Sequence, residues 1–181
     1  MTDTISRILD NFKTIAVVGL SPKPHRDSHE VSEYMQAHGY RIVPVNPAAL
    51  TSEILGEKVY PSLLEAARHE HIDLVNVFRN SADVPPVVDD AIAIGAKAVW
   101  LQLGIEHAEA AAKAESAGLQ VVQNKCLLIE HRQLHGLTAL HPARIRGDRP
   151  GDQPQQRRLA RTVGAQDAGA LARADAPLDV A

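Results

Sequence analysis

Aromatic and sulfur-bearing residues are scarce in this 181-residue sequence: two phenylalanines, three tyrosines, one tryptophan, two methionines and one cysteine. A single thiol, Cys126, excludes an internal disulfide and with it the small disulfide-stapled scaffolds of oxidising compartments. A reducing, cytoplasmic setting is the expectation. No run is long and apolar enough to read as a membrane span, so no membrane partner is expected. The opening residues, Met1-Thr2-Asp3-Thr4-Ile5-Ser6-Arg7, lack the basic and apolar regions of a secretory signal. A formal charge of −3 gives no case for a nucleic-acid partner. No Ser-His-Asp set or pair of carboxylates can be assembled from spacing. The length fits one domain with residues to spare.

What is scarce overall is also unevenly spread. All six aromatics lie in the first 100 residues, and residues 136–181 contain none, nor any Glu or Lys. That stretch carries seven arginines interleaved with five aspartates, and only eight of its 46 residues are Leu, Ile or Val. Such a composition buries too little apolar surface to offset the entropy of ordering, so the expectation is a folded domain over residues 1–135 and a low-complexity, disordered tail over 136–181. A transient helix near Ala168–Ala174, or a basic interaction segment, are the alternatives for the tail.

The domain is organised around Thr14-Ile15-Ala16-Val17-Val18-Gly19-Leu20-Ser21-Pro22-Lys23-Pro24. An unbroken apolar run ending in glycine reads as a strand buried on both faces, as in parallel sheets. The polar loop and the helix after it form a potential anion cradle, because helix N-termini present free N–H groups. The bland alternative is an ordinary strand-to-helix turn. Before it, Ile5, Ile8, Leu9 and Phe12 mark one helix face over Thr2–Phe12, capped by Thr2 or Asp3. After it come a helix over Ser28–His38 with Asp27 and Glu30, or Ser28 alone, at its cap; a strand over Arg41–Val45; and an irregular stretch with an edge hairpin over Ile54–Tyr60. Then follow a helix over Pro61–Glu70, a strand over Ile72–Phe78, and a helix over Val84–Ile94 with Ser81 as its cap. A strand over Lys97–Leu101, a helix over Glu106–Ala117, a strand over Leu119–Val122 and a helix over Leu127–Leu134 complete the series. Strands alternating with helices predict an α/β fold: a doubly wound, Rossmann-like parallel sheet of about five strands with helices on both faces. Ligands of such sheets bind outside the carboxyl ends of the strands.

Those ends narrow the ligand. The NAD fingerprint needs glycines where this loop has Ser21, Lys23 and Pro24, and an acid near the end of the second strand. That end is Val45-Asn46-Pro47. A neutral Asn46 tolerates a ribose phosphate that an acid would repel, which suits NADP or the 3′-phospho-ADP half of coenzyme A.

Five motifs in register, Gly19-Leu20-Ser21-Pro22-Lys23-Pro24, Tyr40-Arg41-Ile42-Val43-Pro44-Val45-Asn46-Pro47, Val77-Phe78-Arg79, Val99-Trp100-Leu101-Gln102-Leu103-Gly104-Ile105 and Cys126-Leu127-Leu128-Ile129-Glu130-His131, resemble the small single-domain CoA-binding proteins. These are stand-alone relatives of the CoA-binding domain of succinyl-CoA synthetase and other acyl-CoA ligases. The resemblance spans about Thr14 to Leu134. It implies a Rossmann-like domain that binds coenzyme A or an acyl-CoA without catalysis. The pyrophosphate would lie at Gly19, Leu20, Ser21, Pro22 and Lys23, with Arg26 and Ser28 alongside, and the adenosine at Val45, Asn46 and Pro47. Phe78 and Arg79, with Gln102, Gly104 and Ile105, would form the crevice floor. One departure stands out: His25-Arg26-Asp27-Ser28-His29 carries Asp27 and His29 where relatives often have proline and tyrosine. Asp27 must turn away from a pyrophosphate that Arg26 faces.

Other residues have two readings each. Arg79 suits a bidentate anion contact or a pair with Asp83. Trp100 belongs to the core, and Gln102 is the better polar ligand contact. Cys126 reads as a core residue, or as a thiolate made acidic by the following helix and Lys125 and able to form a mixed disulfide with bound CoA. A metal site from Cys126, His131, His135 and His141 is not expected, because the spacing is wrong. His69-Glu70-His71 reads as a solvated helix end. The chain is too short for the further domains of a ligase, so a binding module is favoured over an NADP-linked oxidoreductase or an accessory subunit of an acyl-CoA ligase. Homo-oligomerisation is left open.

Overall fold

A computed structural model describes residues 2–136; the expectations for the tail and for His141 lie outside the described residues. In chain order the elements are α1 (Thr2–Asn11), β1 (Thr14–Val18), α2 (Asp27–Ala37), β2 (Arg41–Val45), β3 (Glu53–Ile54), β4 (Glu57–Lys58), α3 (Leu63–Ala66), β5 (Leu74–Val77), a 3₁₀ turn (Ser81–Asp83), α4 (Val84–Ala93), β6 (Ala98–Leu101), α5 (Ala108–Ser116), β7 (Gln120–Val122) and α6 (Leu127–Leu134). Five of the strands form one parallel sheet in the order β2-β1-β5-β6-β7. The sheet is the doubly wound, Rossmann-like one the alternation predicts. The chain leaves β1 toward β2, then returns to add β5 on the other side of β1, which makes the carboxyl ends of β1 and β5 the switch point.

The apolar runs form buried strands because both faces are covered. Ile15 and Val17 of β1 face α1, α2 and α6, together with Ile42, Leu74, Ala98 and Trp100. Ala16 and Val18 face α3, α4 and α5, together with Val43, Val75, Val77, Val99 and Leu101. Each layer removes its side chains from water on one side of the same pleat, which is why the strands show no polar alternation. Trp100 is fully buried, as its place inside a strand implies, and its indole N–H is satisfied by the Lys125 carbonyl at 2.7 Å.

The outer strand β2 contains Pro44. Its carbonyl turns outward to accept from the Tyr60 N–H at 2.9 Å, so its missing N–H also lies on the outer edge and costs no sheet hydrogen bond. The expected edge hairpin is present as β3 and β4. Its turn puts Leu55 and Gly56 at φ 56° and 74°, and the Leu55 carbonyl is held by Gln36 Nε2 of α2 at 3.1 Å.

Several caps differ from expectation. Thr2 and Asp3 already lie inside α1, where Asp3 pairs with Arg7 one turn on. Arg26 is the residue that enters α2, with no side-chain cap; Asp27 and Glu30 sit in the first turn, favoured by the helix dipole alone. The helix expected over Pro61–Glu70 contracts to the single turn of α3, which Ser62 caps by accepting from the Glu65 N–H at 3.1 Å. Ser81 begins a 3₁₀ turn rather than capping α4, and its hydroxyl accepts from the Glu106 N–H at 3.2 Å. Among the described residues, no helix is long and apolar enough to cross a membrane.

Candidate functional site

The loop between β1 and α2 is held by its own side chains. Ser28, buried at the start of α2, accepts from the Ser21 N–H at 3.0 Å, and Ser21 in turn accepts from the Lys23 N–H at 3.2 Å. His29 Nδ1 lies 3.1 Å from the Ser21 carbonyl. This fixes the loop without using the charged ends of Lys23 and Arg26, which stand exposed with Pro22 beside the N-terminus of α2. Leu20 is buried and anchors the loop from below. Asp27 is exposed and makes no cap, so the departure from the family pattern leaves a carboxylate near the same N-terminus.

Gly19 sits at φ +90°, and a Cβ there would lie 2.6 Å from the Phe78 carbonyl oxygen and 3.1 Å from Arg79 Cδ. The glycine is therefore required by the chain itself. Both the positive φ and the close approach of the β5 strand-end backbone call for it. Asn46 is likewise committed internally. Its Nδ2 donates to the Leu20 carbonyl and its Oδ1 accepts from the Ala48 N–H, both at 2.9 Å, tying the end of β2 to the first loop. It leaves the end of β2 uncharged.

At the switch point a cleft of about 240 Å³ opens beside Val18 and Gly19. One wall is Val45, Pro47, Pro61, Ser62 and Leu63; the other is Arg79 with Asp83, Pro86, Val87 and Asp90. The last four recur at i, i+3, i+4 and i+7 and so share one face that runs from the cap residue Asp83 along α4. Val45 is buried, Pro47 exposed, and Arg79 lies 3.8 Å from Asp83, the pairing that one reading of Arg79 anticipates. Strand ends alone do not reveal the α3 and α4 residues of this cleft; the periodicity of α4 would have pointed to them.

The far side of the crevice departs from expectation at Gln102. Gln102 is 3% exposed and turned inward: its Nε2 donates to Asn76 Oδ1 at 2.9 Å and its Oε1 accepts from the Leu127 N–H at 3.4 Å. Its place as a polar ligand contact is corrected to that of a strut that fixes the start of α6. Gly104 and Ile105 form a turn pinned to the next loop, with the Gly104 N–H donating to Asn124 Oδ1 at 2.8 Å. Phe78 is half-buried against the α1, α2 and α6 layer.

Cys126 enters α6 half-buried, packed against the same layer. Burial pushes its thiol upward; the N–H groups of Ile129 and Leu128 oppose this, and the carboxylates of Asp27 and Glu30 add to it. Lys125 spends its charge on Glu130 at 2.9 Å. Of the two readings of Cys126 this environment favours the core residue: burial and two nearby acids oppose the helix N-terminus.

His131 is buried among Tyr34, whose hydroxyl lies 3.0 Å from its Nδ1, and the rings of His38, Tyr40 and His135. No group of three or more His, Cys, Asp or Glu among the described residues is arranged to hold a metal ion. His69 stacks on Tyr60 and lies 3.3 Å from Glu65, and Glu70 pairs with Arg41 at 2.7 Å, so this helix end is more engaged than a solvated one.

A two-sided parallel sheet with a fixed loop, an uncharged second-strand end and a cleft at its switch point defines a Rossmann-like α/β domain. Over residues 13–132 the chain matches the model of the CoA binding domain, and it belongs to that family. It is 42% identical over 127 residues to the Bacillus subtilis (strain 168) protein YneT, covering 70% of this chain and 91% of that one. A hypothetical protein from Pyrococcus horikoshii OT3 has a similar structure, with TM-score 0.70 and 42% identity over 75% of this chain and 93% of the other. The apo dinucleotide-forming acetyl-coenzyme A synthetase 1 of Ca. Korarchaeum cryptofilum is similar at TM-score 0.56 and 25% identity. That match covers 65% of this chain and 27% of the synthetase.

Proposed function

We propose that this protein binds coenzyme A, or an acyl-CoA, across the carboxyl ends of β1, β2 and β5, as a binding module rather than a catalyst. The observation that carries the reading is the cleft beside Gly19 in a chain of the CoA binding domain family. The pyrophosphate goes to Gly19, Leu20, Ser21, Pro22 and Lys23 with Arg26, where the N-terminus of α2 and two exposed cations favour anions. The adenosine enters the cleft past Val45 and Pro47, next to an Asn46 that does not repel a 3′-phosphate. Phe78, Arg79, Gly104 and Ile105 border the path of the pantetheine arm. Capture of the CoA thiol by Cys126 ranks below simple binding, because burial pushes that thiol up rather than activating it.

Calorimetric titration with CoA, dephospho-CoA, NADH and NADPH tests the proposal. CoA is expected to bind, dephospho-CoA more weakly, and NADH not at all. Tighter binding of either nicotinamide nucleotide would replace this reading with the oxidoreductase one. With CoA disulfide at pH 7 the intact mass is expected to stay unchanged; an adduct lost in Cys126→Ser would restore thiol capture.

A further inference from the structure

We propose that Asp90 reads the 6-amino group of an adenine seated in the cleft and so selects the base of the ligand; the inference rests on the reading that a CoA-type nucleotide binds at this crevice. The walls of the cleft are mostly apolar and built from short or rigid side chains: Val18, Val45, Pro47, Pro61, Leu63, Pro86 and Val87. Such walls suit a flat ring rather than a ribose, which is polar on every side, or a phosphate. Four side chains bring polar atoms to the cleft, and three are already engaged. The Ser62 hydroxyl caps α3, and Arg79 and Asp83 face each other at 3.8 Å.

Asp90 is the exception. It lies seven residues after Asp83 on the same face of α4 and has no side-chain hydrogen bond or ion pair among the described residues. Its neighbour Asp89 turns elsewhere, to Lys113 at 2.6 Å. Burial, reinforced by the Asp89 charge, holds the Asp90 carboxyl above the usual range, the mark of a carboxylate short of donors. An ionised carboxylate only accepts hydrogen bonds. It repels phosphate oxygens and the O6 of guanine, whereas adenine presents an amino donor at that edge. The base thus supplies what the carboxylate lacks, and the pyrophosphate stays with Lys23 and Arg26.

The full chain is titrated calorimetrically with CoA and with the analogue in which hydrogen replaces the 6-amino group, for the wild type, Asp90→Ala and Asp90→Asn. Circular dichroism checks that each is folded. The wild type is expected to bind the analogue about tenfold or more weakly, the range for a hydrogen bond to a charged group. Asp90→Ala should bind both ligands alike, while Asp90→Asn, whose amide oxygen still accepts, should keep part of the preference. Equal wild-type binding of both ligands, or an undiminished preference in Asp90→Ala, overturns the assignment and leaves CoA binding standing. A folded wild type that binds no CoA overturns both.

Discussion

At Gly19 the demand the fold itself makes is measurable before any ligand is added. Alanine at φ +90° is strained, and its Cβ would press on the Phe78 carbonyl oxygen at 2.6 Å. Gly19→Ala is therefore expected to lower stability by at least about 2 kcal/mol in urea unfolding, before any ligand is added. A stability within experimental error of the wild type would mean the β1 and β5 ends separate easily, and that the glycine serves the ligand alone. The sequence shows the glycine but not the reason for it, because Phe78 is 59 positions away and meets Gly19 only through the sheet order. Gln102 and Asn46 teach the same lesson. Both are polar residues at strand ends, where ligand contacts concentrate, yet both spend their amides on the protein, Gln102 on Asn76 and Leu127, Asn46 on Leu20 and Ala48.

Among the elements, α6 has the most telling environment. Its His131 is packed among Tyr34 from α2, His38 just past α2, Tyr40, and His135 just past its own helix, with the Lys13 charge nearby. Burial, with lesser contributions from His135, His38 and Lys13, pushes its pKa down to about 4. The folded state thus binds fewer protons here than the unfolded state. The resulting stability is complete above pH 6.5, falls as the pH drops toward 4, and is flat below. The span amounts to at most about 3 kcal/mol. Urea unfolding at pH 7 and pH 4.5 is expected to show that loss, and His131→Phe to flatten it. An unchanged slope in the variant would assign the acid sensitivity elsewhere. Element positions were legible in the sequence because both sheet faces are covered, so strands read as unbroken apolar runs and helices as periodic ones. Caps were less legible: entry into α2 is set by tertiary packing of Ser28 under Ser21 rather than by a local cap.

Among the described residues, the two apolar layers draw on side chains from Ile5 to Leu134. The family match ends at residue 132. A chain cut after Gly136 is accordingly expected to melt within a few degrees of the full one. A larger fall would mean that residues beyond 136 contribute to the fold.

An open parallel sheet has two outer strands, each offering unpaired backbone groups to a neighbouring chain. Here the β7 side is only three residues long, and on the β2 side Pro44 presents no N–H where an added strand would seek one, while Tyr60 already occupies its carbonyl. Crowded copies of this protein therefore meet edges that offer few free backbone groups for pairing, and on the β2 side that resistance to fibrillar self-association rests on a proline.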